Sequence, residues 1–484
     1  MRPVDPLITS AILLGLQLVI VLGFVLVERR EPQATLAWVL AVVFIPVIGA
    51  FLYLVFGLGR TVRRIRLGQR VARLTRTAFA RWHVGRKARG QNVLTLDARI
   101  RPIVQLAERV AQARACTGNA VEMLVDARAT YDAMRSAIAL AEQHVHVEFY
   151  IIQPDSTGES LRSLLVARAR DGLRVRVLCD GVGCLKLPDD FWEPLVQAGG
   201  QVGWFSPLRL APIFRSPHRM NFRNHRKNVV VDGVVGFTGG INIGREYLGL
   251  DPEIGDWRDT HVEIRGPAVI DLQKTFVEDW LAATGELLDD DGLFPELEGP
   301  AGDGVVQIVA SGPDRPWSVI QQLFVLAIAR AEQRVWITSP YFIPDAVVKN
   351  ALMTAALAGQ DVRVLVPERS DSRLVDLASR HHFSELLRAG VRIHTYRAGF
   401  LHAKTMVIDD WLGVIGSTNM DVRSFQLNYE LTAFIYDRLI VEELAAVFEA
   451  DMLHAPELPS TWDRDLRYGR RLLHACAGLM SPLL

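Results

Sequence analysis

The chain has 484 residues, a length that suits two to three domains. Half of its residues are apolar, a high share for a soluble enzyme, and its formal charge is zero although basic and acidic residues are unevenly spread. Four cysteines, Cys116, Cys179, Cys184 and Cys476, show no disulfide or metal-site spacing, which argues against a cystine-built module and fits a reduced, cytosol-facing catalytic region.

At the N-terminus, Leu7–Val27 is uncharged and predominantly apolar over 21 residues. At about 1.5 Å per residue such a helix crosses the roughly 30 Å hydrocarbon core of a bilayer. A cleaved signal peptide fits poorly: the run is long, no small-x-small site precedes Glu28, and a second apolar run follows almost at once. That second run, Thr35–Leu58, holds Pro46, which a membrane helix tolerates. Residues 1–59 therefore read as a transmembrane hairpin, spans 7–27 and 35–58, joined by ERREPQA at 28–34.

Residues 60–118 read as a basic juxtamembrane connector. From Arg60 to Arg89 there are ten arginines, Lys87 and no acidic residue, whereas the hairpin loop offsets two arginines with two glutamates. The positive-inside rule then places the bulk of the chain, and its N-terminus, on the cytoplasmic side of the cell inner membrane. Val62, Ile65, Leu67, Val71, Leu74, Phe79 and Trp82 interleave with the arginines, a pattern that suits an anionic leaflet. A solvated linker is the plain alternative. Nucleic-acid binding is disfavoured because the run follows a span directly.

From Asn119 onward the chain reads as a duplicated α/β unit, with halves at 119–287 and 305–484. A helical pattern ending Ala141-Glu142-Gln143 runs into HVHVEFYI (144–151); one ending Ala331-Glu332-Gln333 runs into RVWITSPYFI (334–343). Pro154-Asp155 and Pro344-Asp345 then open a helix in each half, VRVL recurs at 175–178 and 362–365, and Ala198-Gly199 and Ala389-Gly390 close the next helices. Order is kept while loop lengths drift, as tandem duplication produces. Strands alternating with helices predict an α/β sandwich in each half, related by a pseudo-twofold axis. LDDDGLFPELEGPAGDG (288–304) is acidic and rich in Gly and Pro and reads as a surface linker.

Each half carries one further pattern at identical offsets: H-x-K-x4-D-x6-G-G-x-N at His225–Asn242 and H-x-K-x4-D-x6-G-S-x-N at His402–Asn419. The apolar runs Val229–Val231 and Met406–Ile408 predict strands, so His225 and Lys227 share a face, as do His402 and Lys404. Asp232 and Asp409 fall where the strand ends and read as turn anchors within the motif. Gly239-Gly240 and Gly416-Ser417 let backbone approach a ligand, and Asn242 and Asn419 return beside the histidine. Imidazole, ammonium and amide on one surface suit a phosphate: Lys227, Lys404, Asn242 and Asn419 stabilise its oxygens, and the histidines serve as nucleophile and acid. A metal centre fits worse, because lysine is a poor ligand and H-x-x-x-H and C-x-x-C spacings are absent. The remaining histidines read as structural.

The paired pattern resembles the HKD motifs of the phospholipase D superfamily and, within it, the bacterial cardiolipin synthases. NHRKNVVVDG (224–233), TGGIN (238–242), WRDTH (257–261), SPYFIP (339–344), LHAKTMVIDD (401–410), GSTNMDVRSF (416–425), NYE (428–430) and the final SPLL (481–484) carry the likeness, which covers nearly the whole chain. The resemblance implies His225, Lys227, Asp232, His402, Lys404 and Asp409 as the catalytic set. It also implies Asp259 and Glu430, downstream of each motif, as carboxylates that orient the imidazoles. It further implies a membrane-anchored phosphatidyltransferase: His225 attacks phosphatidylglycerol, His402 protonates the departing glycerol, and a second phosphatidylglycerol takes the phosphatidyl group to give cardiolipin. No cofactor, metal or nucleic acid is called for. A phospholipase D using water or another alcohol shares every motif, so the motifs alone leave the acceptor open; a silent membrane scaffold is disfavoured by both motifs being complete. The loop GWFSPLRLAPIFRSPHRMNFRN (203–224) mixes aromatic and basic residues and is expected to guide lipid to the site.

Overall fold

The computed structural model describes residues 97–206, 221–251, 255–288, 291–297, 299–462, 466 and 468–481, together with 15, 19, 22, 23, 25, 26, 32–53, 68–75 and 79. Most of the expected first span at 7–27, most of the basic run at 60–89, the centre of the loop at 203–224, and 482–484 lie outside the described residues. In the second expected span the helix Pro32–Phe44 stops at Ile45 and a new helix, Pro46–Leu52, starts with proline in its first turn. Proline lacks the N–H that would continue the ladder but fits a first turn. Leu36, Leu40, Phe44, Ile48 and Phe51 point outward. Among the described residues no helix is long and apolar enough to cross a membrane.

The first half contributes β1 (Ala115–Val125), β2 (His144–Phe149), β3 (Arg174–Asp180), β4 (Gln201–Phe205), β5 (Lys227–Val231), β6 (Val235–Gly239), β7 (Trp257–Arg258) and β8 (Thr260–Arg265). The second contributes β9 (Gly304–Ser311), β10 (Arg334–Thr338), β11 (Phe342–Ile343), β12 (Asp361–Pro367), β13 (Arg392–Tyr396), β14 (Phe400–Leu401), β15 (Thr405–Ile408), β16 (Leu412–Gly416), β17 (Met420–Asp421) and β18 (Glu430–Ile435). Fourteen of these form one continuous sheet. Outward from its centre one side runs β1-β8-β6-β5-β2-β3-β4 and the other β9-β18-β16-β15-β10-β12-β13, so the two halves repeat strand for strand. The seam is the antiparallel pair β1–β9, where Asn119 Nδ2 bridges a bulge by donating to the carbonyls of Cys116 (2.7 Å) and Gly304 (3.2 Å). Strand β1 thus begins ahead of the boundary expected at 119.

Alternation along the strands builds a core on each face. In β5, Val229 and Val231 pack with Leu165 and Met134 on one side, while Val230 faces Leu272 on the other. The second half repeats this, with Met406 and Ile408 against the Val319–Ala329 helix and Val407 against Leu444 and Phe448. Helices therefore cover both faces. Asp155 caps Ser156–Arg170 and Asp345 caps Ala346–Leu357, as the Pro-Asp pairs predict. Within the linker at 288–304, Glu296, Gly299, Pro300, Ala301 and Asp303 are exposed, while Leu288, Leu293 and Phe294 are buried against Phe276 and Trp280. Burying those apolar side chains stabilises the segment against the domain.

Candidate active site

The two motif strands sit in the same register on either side of the seam, and the segments ahead of them are exchanged between halves. Asn224 bridges Tyr429 in parallel, and the His225 N–H donates to the Tyr429 carbonyl at 2.9 Å. Likewise β14 pairs with β7, and the His402 N–H donates to the Arg258 carbonyl at 2.8 Å. Each histidine is thereby laid beside a carboxylate of the opposite half. His225 Nδ1 lies 3.0 Å from Glu430 Oε2, and His402 Nδ1 lies 2.7 Å from Asp259 Oδ2.

A carboxylate at Nδ1 fixes the proton there and leaves Nε2 with its lone pair. Lys404 Nζ is also 2.9 Å from His402 Nδ1. One ring nitrogen cannot donate to the carboxylate and accept from the ammonium together. We assign the ring proton toward Asp259 and the lysine protons to the His402 carbonyl, which Nζ also contacts. The carboxylates are themselves held. Glu430 accepts from Ser417 Oγ and from Asn428 Nδ2 at 3.2 Å. Asp259 accepts from the Thr260 N–H at 2.7 Å and fits under Gly240, where a Cβ would stand 2.0 Å from its Oδ1.

Charge follows from burial. For both carboxylates burial pushes the pKa up, but Lys404 and His402 around Asp259, and His225 and Lys227 around Glu430, outweigh it and hold each below the usual range. Burial lowers His225, opposed by Glu430. Burial and Lys404 together bring His402 down to about 4. Both imidazoles are thus neutral near pH 7.

Both lysines are buried behind the histidines and do not line the cleft. Lys227 Nζ donates to the His225 carbonyl at 2.7 Å, and Lys404 Nζ does the same for His402. Burial and mutual repulsion lower Lys227 to about 7, and burial lowers Lys404 to about 8.

The motif aspartates sit at the turns where their spacing placed them. Asp232 accepts the N–H groups of Glu142, Gln143 and His144, each at 2.8 Å, and Asp409 accepts those of Glu332, Gln333 and Arg334 at 2.8–2.9 Å. Both sit in left-handed backbone, φ +53° and +48°, and neither lines the cleft. They tie the motif strand to the turn that opens β2 or β10. Aspartate tolerates that backbone region, and its two oxygens satisfy three donors that would otherwise be orphaned.

The cleft, about 1040 Å³, is lined from both halves, with His225, His402, Asn242 and Asn419 on its walls. Asn242 accepts from the Ile151 N–H at 3.2 Å and donates to Tyr247 Oη at 2.8 Å. Tyr150 stands edge-on to His225 with centroids 5.1 Å apart, and Trp257 lies 5.1 Å from His402. These rings shield the imidazoles from bulk water. Tyr150 and Tyr341 line the cleft but escaped the sequence reading, although YIIQPD and YFIPD occupy matching places in the two halves. Arg223 and Arg423 line it too. Arg223 pairs with Asp180 at 3.3 Å, and Arg423 donates twice to Asn221 at 3.0 Å.

Comparison with known proteins agrees with the duplication. The family model described as cardiolipin synthase, phospholipase D-like domain, matches residues 134–280 and again 324–452. A model described as phospholipase D-nuclease N-terminal matches residues 18–57. The chain is 40% identical over 468 residues to a cardiolipin synthase of Halalkalibacterium halodurans, covering 96% of this chain and 92% of that one. It is 39% identical over 477 residues to a cardiolipin synthase of Alkalihalophilus pseudofirmus, covering 98% and 94%. In shape it matches the crystal structure of a phosphatidylserine synthase from Haemophilus influenzae, with TM-score 0.61 over 79% of this chain and all of that one, at 15% identity, a likeness of fold alone.

Proposed function

We propose that this chain, which belongs to the phospholipase D-like family of cardiolipin synthases, condenses two phosphatidylglycerol molecules to cardiolipin and glycerol. The observation that carries the reading is the pair of crossed imidazole–carboxylate contacts, His225–Glu430 and His402–Asp259, opening on one cleft.

In this scheme Nε2 of His225 attacks phosphorus and the P–O bond to the headgroup glycerol breaks. His402, as imidazolium, gives its Nε2 proton to the departing alkoxide. Burial disfavours that imidazolium in the empty cleft; the bound phosphodiester anion and Asp259 favour it. A phosphatidyl-histidine remains. The hydroxyl of a second phosphatidylglycerol then enters, neutral His402 takes its proton, and attack on phosphorus releases His225. The resemblance puts the attack on His225. The same bound anion favours the charged forms of Lys227 and Lys404, which lend positive charge from beneath the site, and Asn242 and Asn419 stabilise the phosphoryl oxygens. The apolar runs at 7–27 and 35–58 and the family match at 18–57 support a membrane anchor with the catalytic halves on the cytoplasmic side.

The decisive experiment gives purified full-length protein phosphatidylglycerol alone and identifies the lipid products. Cardiolipin with free glycerol is expected. Phosphatidic acid as the sole product would replace transfer by hydrolysis. Two in-line displacements also retain configuration at phosphorus, and an inverted product would end the covalent scheme. His225→Ala and His402→Ala are each expected to abolish turnover.

A further inference from the structure

The second half carries an element that the first lacks. After the long helix that follows its last sheet strand, Arg438–Met452, the chain adds another, Tyr468–Gly478. In the first half the matching helix, Val269–Thr284, leads straight into the linker. The duplicated unit therefore completes its sheet and both faces without this addition.

The added helix packs by one side against the helix Arg373–Arg388. His474 stacks on Trp462 with centroids 5.7 Å apart, and Ala477 packs in a buried cluster with Ile343 and Ala378. Gly478 lies so close to His381 that a Cβ there would come within 2.4 Å of its ring. The other side is bare: Tyr468 is 81% exposed, Leu472 53%, Leu473 56% and Leu479 81%. Tyr468, Leu472 and Leu479, at i, i+4 and i+11, form one apolar ridge along the helix. Exposed apolar groups gathered like this mark an interaction surface, whereas scattered ones do not.

Two observations say what covers the ridge. The first is charge: from 466 to 484 the chain holds Arg467, Arg470 and Arg471 and no acidic residue. Apolar side chains alternating with arginine suit the boundary between acyl chains and anionic headgroups. The second is position. Ile343, against which Ala477 packs, lines the catalytic cleft, as does Val375 of the helix Arg373–Arg388 beneath the ridge. Leu374, next to Val375, is itself 40% exposed.

We propose that the helix Tyr468–Gly478 with Leu479 is an interfacial element that lies in an anionic lipid surface and seats the rim of the catalytic cleft against it. The inference rests on the lipid-substrate reading above and adds to it the face that meets the bilayer. A helix in the headgroup plane beside the cleft shortens the distance a phosphodiester must rise from the leaflet.

Cys476 supplies the probe. It is exposed on this helix, and the other three cysteines are buried. The full chain, labelled there with an environment-sensitive fluorophore, is reconstituted in vesicles of phosphatidylglycerol and phosphatidylcholine that carry a nitroxide-quencher lipid. Blue-shifted, quenched emission is expected, and Leu472→Glu with Leu479→Glu should reverse it. An aqueous, unquenched signal in the parent protein overturns the proposal, as does a spontaneous Cys476–Cys476 disulfide, which would assign the ridge to a second copy. In unlabelled protein the double substitution should slow turnover of vesicle phosphatidylglycerol by about tenfold or more while sparing a short-chain monomeric analogue. Equal loss on both substrates, or no loss on either, refutes it. If the parent protein turns over neither substrate, the synthase reading fails, and the fluorescence still decides the ridge.

Discussion

Glu430, the first residue of β18, accepts the Nδ1 proton of His225, which leads into β5 of the opposite half, at 3.0 Å. Asp259 returns the arrangement to His402 at 2.7 Å. Neither half holds a complete imidazole–carboxylate pair of its own. A buried carboxylate both fixes the imidazole tautomer and stabilises the imidazolium formed during proton transfer. Glu430→Gln and Asp259→Asn keep shape but lose the charge. Each is expected to lower kcat by roughly 10²–10⁴-fold, with little change in KM. Steady-state kinetics on vesicle substrate check this; a change confined to KM would make these carboxylates binding residues.

The lysines beneath the site are expected to weaken the fold that they serve. Burial and repulsion from Lys404 pull Lys227 from its ordinary 10.5 to about 7. Between those values the unfolded chain binds more protons than the folded one, so stability rises with pH across that window. Lys227→Met removes this contribution. The parent should gain up to about 1.4 kcal/mol per pH unit relative to the variant between pH 7 and 10. Urea unfolding at several pH values reads the slope, and a parallel pair of curves would mean that Lys227 stays charged in the fold. The variant should lack activity at every pH.

Asp409 is expected to matter for stability and little for chemistry. It takes three backbone N–H groups and the Trp411 indole at 3.0 Å, and it sits in left-handed backbone. Asp409→Ala orphans those donors and strains the backbone, at a cost of about 2–4 kcal/mol. Denaturant midpoints measure that loss. Specific activity per folded molecule should stay within about threefold, since general acid–base roles are worth far more. A drop of the size expected for the histidines would return Asp409 to the catalytic set.

Gly240 and Ser417 occupy equivalent places in the two motifs but are not interchangeable. A Cβ at 240 would stand 2.0 Å from Asp259 Oδ1, so Gly240→Ser must displace the carboxylate that holds His402. At 417 the side chain already exists and its hydroxyl donates to Glu430. Gly240→Ser is expected to cost about 10² or more in kcat, and Ser417→Gly about tenfold, the loss of one hydrogen bond to a charged group. Equal effects in the two variants would refute this asymmetry.

The sequence alone determined much of what is local or repeated. Two motifs at identical offsets give the duplication. Alternation in Val229–Val231 and Met406–Ile408 gives the buried strands, and Asp155 and Asp345 give the caps, because strand pleat and helix turn impose short periods on the chain. YIIQPD and YFIPD also repeat at matching places and bring Tyr150 and Tyr341 to the cleft. Tertiary structure alone decided which carboxylate serves which histidine, that the lysines lie behind the imidazoles, and which backbone N–H groups the turn-anchoring aspartates hold. The crossed pairs depend on the β1–β9 seam, which joins two sheets into one and brings Glu430 to His225 across the junction. No period in the chain links such distant residues. Their meeting is set by sheet register and by the burial that comes with it.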